Sequence, residues 1–151
     1  MSQEEIRQLH NQLRTSQDKY VYFLLAVTAS AIAFSVQITK DSVFSLTLLP
    51  LGVAVVCWAW SFFCGCRQIQ YVNSILYSNT EYLRIKNGTH PEVGNSPNFI
   101  KAASEGLMEA ISSNQDSASS HANWQFRLAI MGGVAFICWH LLKMAARTYG
   151  N

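Results

Sequence analysis

Two long stretches of this chain carry no charge at all, one from Tyr20 to Thr39 and one from Ser42 to Cys66. A helix rises about 1.5 Å per residue and a bilayer core is about 30 Å thick, so roughly 20 apolar residues cross it. Both stretches reach that length. Only Lys40 and Asp41 separate them, which leaves little room for a water-soluble fold. The expected class is therefore an all-α integral membrane protein. The charged share of 13% is about half that of an ordinary soluble domain and agrees with this. At 151 residues, one membrane domain is expected (1–151).

A third run is shorter. "RLAIMGGVAFICWHLLK" is uncharged throughout between Arg127 and Lys143. That run makes about 22 Å of helix, short of a full crossing. The end cations can reach outward, however, and the stretch from Trp124 to Ala146 is long enough to cross. Three spans are thus expected, at 20–39, 43–66 and within 123–147.

Outside the spans the chain is polar but patterned. Ile6, Leu9, Leu13, Ser16 and Tyr20 step by three and four, the seam of a helix that packs on a partner. No Gly or Pro separates them from the first run, so one helix is expected over 2–39. "TKDS" makes the reversal, with Asp41 or Ser42 able to cap the second helix. Pro50 marks a first turn or a kink. Ile69, Val72, Leu76, Asn79 and Leu83 continue a seam past Arg67, and Gly88 supplies a stop, giving a helix over 43–87. The two extensions match in length, so the first two helices are expected to protrude together as a hairpin whose seams face each other. A loop and cytosolic segment come next, over 88–121. Within it, a short amphipathic helix is expected over 97–112, capped by Ser96-Pro97, with Ile100, Ala103, Leu107 and Ile111 on one face. "SSNQDSASSH" then reads as a polar linker.

Charge sets the orientation. Eight of the eleven Lys and Arg lie before residue 20 or between Arg67 and Arg127. The positive-inside rule puts the N-terminus and residues 67–122 in the cytoplasm and the C-terminus outside. Tyr20 and Tyr22, Trp58, Trp60, Phe62 and Phe63, and Trp124 and Phe126 would form an aromatic belt at the inner interface. The first run exceeds the length of a cleaved signal's apolar core and comes after a long, mostly polar segment, so it reads as a retained anchor.

Chemistry-bearing patterns are sparse. His10, His90, His121 and His140 stand in no metal-like spacing with Cys57, Cys64, Cys66 and Cys138. The cysteines read as buried thiols, with "CGCR" a weak acylation signal. His90 beside Glu92 is poor support for acid–base work, and the "NGT" sequon falls on the cytoplasmic side. No glycine loop for phosphate and no nucleophile elbow occurs. The expectation is a non-enzyme with no cofactor or metal. A net charge of +2 without a basic stripe excludes nucleic acid as a partner class. His140 is the one ionisable side chain set within a run of span character, so ion-coupled transport by a single chain is not expected.

What remains is packing information. Ala26, Ala29, Ser30, Ala33 and Gln37 share one face of the first span, and Thr28, Ala31 and Ser35 share the opposite one. A helix with two small faces can touch two neighbours, one of them another subunit or a narrow pore. Gly132 and Gly133 offer a close-packing notch in the third span, and His140 lies toward its far end. These residues are the helix-packing or pore-facing candidates.

A charged N-terminal helix, two close spans with a minimal turn and a helical cytosolic segment resemble, over residues 1–112, the SLATT-type membrane effectors of bacterial conflict systems. The third span is additional to that two-span plan. The resemblance implies a homo-oligomeric pore or membrane-disrupting effector in anti-phage defence, embedded in the lipid of a bacterial inner membrane. Its trigger would be a cytosolic protein or signal ligand acting on residues 67–121. The competing expectation is a membrane anchor or adaptor that tethers a cytosolic partner.

Overall fold

The computed structural model describes residues 3–41, 45–91, 93 and 96–149. Three helices account for nearly all of them: α1 (Gln3–Thr39), α2 (Leu49–Lys86) and α3 (Pro97–Tyr149). A single 3-10 turn, Leu46–Leu48, leads into α2, and no strand occurs among the described residues. All three helices are long and apolar enough to cross a membrane, with mean hydropathies of 1.9, 1.9 and 1.7 over their most apolar windows.

Helix limits have local causes. α1 contains no Gly or Pro across its 37 residues, and Glu4 and Glu5 in its first turn oppose the helix dipole. Lys40 and Asp41 form the turn that ends it, as expected. The next helical turn starts at Leu46 after Ser45, so Asp41 does not cap the second helix; Ser42, the other capping candidate, lies outside the described residues. Pro50 falls in the first turn of α2, where its missing N–H would have had no intrahelical partner. At the other end Gly88 adopts φ 67°. Its N–H donates to the Ile85 carbonyl at 3.0 Å, and the Thr89 N–H donates to that of Arg84 at 2.9 Å. This paired closure is a Schellman stop, and it needs the left-handed backbone that glycine adopts cheaply.

α3 corrects one expectation. The segment 112–121, read as a linker after a short helix over 97–112, is helical without interruption. The start is as expected: Pro97 opens the helix, and the Ile100 N–H donates to the Ser96 carbonyl at 3.0 Å. After that no proline occurs, and Ser and Asn cost only about 0.5–0.7 kcal/mol each against Ala in a helix. Packing overrides that penalty. Ile100, Ala103, Leu107 and Ile111 all lie half-buried, and the face continues through Asn114, Ala118 and His121.

The chain divides into two compact units, Met1–Gly65 with Asn123–Asn151, and Cys66–Ala122. In the second unit Asn114 Nδ2 donates to Ser74 Oγ at 3.1 Å and the rings of Tyr71 and His121 lie 5.3 Å apart. The covered face of α2 here passes through Ile75, Ser78, Tyr82 and Ile85, whereas Asn79 and Leu83 of the expected seam are exposed. A straight helix of 3.6 residues per turn drifts about 20° per heptad, which moves a 3.5-residue seam off its partner.

In the first unit the residues of the expected α1 seam are not buried. Ile6, Leu9, Leu13 and Tyr20 are 40–54% exposed.

Candidate functional site

The first unit buries apolar side chains, among them Leu24, Leu51, Trp58 and Trp139, together with several polar ones. Its four largest fully buried side chains are all polar: Thr28 and Ser35 of α1, Ser61 of α2 and Gln125 of α3. Large apolar side chains point outward, among them Phe23, Val36, Val56, Trp60, Val134 and Ile137, each more than half exposed.

Each polar group inside is handled differently. The Thr28 hydroxyl donates to the Leu24 carbonyl at 2.8 Å, and that of Ser35 donates to Ala31 at 2.8 Å, so both are satisfied within their own helix. Ser61 instead reaches across to α3, donating to the Gln125 carbonyl at 2.7 Å. One turn away, the Trp58 indole N–H donates to the Ala129 carbonyl at 3.3 Å. These two bonds tie α2 to the backbone of α3. Gln125 itself is buried, and its Nε2 has no partner among the described residues. It occupies space opened by Gly65, where a Cβ would stand 2.8 Å from Leu25 Cδ2 and 2.9 Å from Gln125 Cδ.

The two candidate glycines divide. A Cβ on Gly132 would meet Trp58 Nε1 at 2.5 Å and Cδ1 at 2.6 Å, so the absent side chain is what lets the indole lie against α3. Gly133 has nothing within 4 Å of such an atom. An aromatic group extends from there, with ring centroids 5.8 Å apart for Trp58 and Phe136, 5.5 Å for Phe136 and Trp139, and 6.5 Å for Phe34 and Phe136.

The faces of α1 divide as sharply. Thr28 and Ser35 are buried and Ala31 half-buried, so this face packs within the unit. Ala26, Ala29, Ser30, Ala33 and Gln37 are all exposed. His140 is exposed beside Trp139. Trp60, Phe62, Phe63, Trp124, Phe126, Tyr20 and Tyr22 face outward, but Trp58, expected in the same aromatic belt, is 7% exposed and serves the interior. Sequence reasoning misses Ser61, Gln125 and Gly65. Their places on apolar helices mark them as inward only once the buried face is known.

In the second unit His90 Nε2 lies 3.4 Å from Glu81 Oε2, and Arg84 lies 2.9 Å from Glu81 Oε1. His90 thus returns to α2; Glu92 lies outside the described residues. The four cysteines are free thiols, with Cys57 and Cys64 buried. Among the described residues no group of three His, Cys, Asp or Glu is placed to hold a metal.

No protein-family model, no curated protein and no solved structure matches this chain.

Proposed function

We propose that this chain is an integral membrane protein whose copies assemble side by side into a pore or membrane-disrupting effector. The outward-facing apolar surface of the first unit supports insertion. Contiguous exposed apolar surface of this extent is tolerated in lipid and not in water, while the polar groups inside are held by helix carbonyls. The charge distribution supports a cytoplasmic N-terminus and cytoplasmic residues 67–122, with the C-terminus outside the inner membrane. In this reading the helices outside the spans receive the trigger, and the resemblance to SLATT-type effectors suggests anti-phage defence as the setting.

The observation that carries the assembly is the two-sidedness of α1. Thr28 and Ser35 are used inside the unit, yet the opposite face of Ala26, Ser30, Ala33 and Gln37 is small, weakly polar and exposed. Small faces gain by close helix contact and little by lipid contact, so a second copy is the favoured neighbour. The test is ion flux through liposomes holding the purified protein, with cross-linking to read the oligomer. Ser30→Leu and Ala33→Leu together should abolish flux and shift the oligomer distribution. Liposomes that stay tight at every oligomeric state overturn the proposal.

One observation favours a second reading, an anchor or adaptor. The seam of Ile6, Leu9, Leu13 and Tyr20 is exposed in the segment that precedes the apolar run. In that reading the seam binds a cytosolic protein and a foreign transmembrane hairpin replaces residues 20–66 without loss.

A further inference from the structure

Where α1 ends, its last turns and the last turns of α3 border an open groove of about 350 Å³. Its floor is apolar, made by Phe34, Ile38, Phe136 and Trp139. Its rim is polar and carries two cations: Lys143 and Arg147 line it beside His140. Their spacing of three and four residues sets them within about 60° on one face of α3, so they converge on one groove and do not encircle the helix. Lys143 Nζ lies 5.0 Å from the centre of the Trp139 ring, which carries the charge over the edge of the apolar floor.

Charge around the groove is one-sided. No acidic residue occurs after Asp116 in the sequence, and on the α1 side Asp41 is offset by Lys40. The other end of the span differs. Arg127 stands there over Trp124 at 6.0 Å, without a second cation on its face.

We infer that this groove is a binding site for an anionic phospholipid, with an acyl chain against Phe34, Phe136 and Trp139 and the phosphate held by Lys143 and Arg147. The inference rests on the membrane reading above. Arginine offers a planar fork that matches two phosphate oxygens, and lysine adds a point charge with three donors. A neutral lipid would fill the floor equally well but would leave the rim cations without a net counter-charge. The volume is at the small end for ligand sites, enough for the upper part of one chain, as expected where the bilayer supplies the rest of the enclosure.

The test uses the full-length protein purified in mild detergent and titrated separately with dioleoyl-phosphatidylglycerol and dioleoyl-phosphatidylcholine, with bound lipid read by native mass spectrometry. Phosphatidylglycerol should be retained at least about fivefold better. Lys143→Gln and Arg147→Gln should each lower its retention about fivefold, the worth of one cation at a membrane surface, with phosphatidylcholine unchanged. Lys143→Arg should retain it, and Arg127→Gln at the other end should leave it intact. Neither rim residue is buried, so these variants keep the fold. Equal retention of the two lipids, or no loss in the Lys143→Gln/Arg147→Gln double variant, overturns the site. Alkaline carbonate extraction of membranes separates the two readings: protein that stays in the pellet but ignores headgroup charge sinks only the groove, and protein released to the supernatant sinks the membrane reading with it.

Discussion

Gly132 of α3 lies directly against the indole of Trp58 of α2, so close that a Cβ would stand 2.5 Å from Nε1. The neighbouring Gly133 has open space where its own Cβ would be. Two adjacent glycines of the same helix therefore predict effects of opposite sign. Gly132→Ala must push a buried, rigid ring out of place and should cost about 1–3 kcal/mol. Gly133→Ala meets nothing and should gain about 0.5–1 kcal/mol from helix propensity alone. Thermal unfolding in detergent, followed by tryptophan fluorescence, measures both, and equal effects would show that the Trp58 contact does not set the approach of α2 and α3.

Gln125 presents the opposite situation, a polar side chain with too little to bond. It is 1% exposed, and its Nε2 has no partner among the described residues. An unsatisfied buried donor costs about 1–3 kcal/mol, and methionine is close in shape without that cost. Gln125→Met should therefore raise stability by about 1 kcal/mol in detergent-solubilised monomer. If the same change lowers the stability of the assembled protein, the amide acquires its partner only on assembly.

Orientation gives an independent check that does not depend on side-chain packing. Eight of eleven cationic residues fall before residue 20 or between 67 and 127. An alkaline phosphatase reporter fused after Asn151 should be active, and the same reporter fused after Gly88 inactive. Equal activity at both positions would mean that α3 does not cross.

The fold class is legible in the sequence because uncharged runs as long as Tyr20 to Thr39 and Ser42 to Cys66 have few other uses. So are the stop at Gly88 and the start at Pro97, where backbone chemistry is local. Seams are harder. Ile100 to Ile111 can be read from apolar spacing, but the same face continues through Asn114, Ala118, His121 and Gln125, which no hydrophobic pattern reveals. In the first unit the interior mixes apolar residues such as Leu24, Leu51 and Trp139 with Thr28, Ser35, Ser61 and Gln125. Large apolar side chains also cover the outside, so apolar stripes alone do not pick out the inner face. The small residues of α1 are visible as a pattern, and the structure divides them into an inner face at Thr28 and Ser35 and an outer one at Ser30 and Ala33. Ser61 and Gln125 stay hidden, since their role depends on which carbonyl of α3 lies opposite α2.

The continuity of α3 yields the most direct test of the difference between sequence expectation and structure. If residues 112–121 were a linker, proline would be tolerated there. Ser119 is exposed and sits deep in the interior of a 53-residue helix, many turns from either end. Proline at this position removes a backbone donor and clashes with the preceding turn, at a cost of about 3 kcal/mol, with no side-chain contact to confuse the result. Ser119→Pro should lower the thermal midpoint sharply, whereas Ser119→Ala should raise it slightly through helix propensity. The face carried by Asn114, Ala118 and His121 would lose its register on the far side of the break, so the contact of Asn114 with Ser74 should weaken as well. A double-cysteine pair at positions 74 and 114 reads that directly: efficient cross-linking in the Ser119→Ala background and poor cross-linking with Ser119→Pro is the expected outcome. Equal cross-linking and equal stability in the two backgrounds would mean that the segment bends freely and that α3 is not one helix.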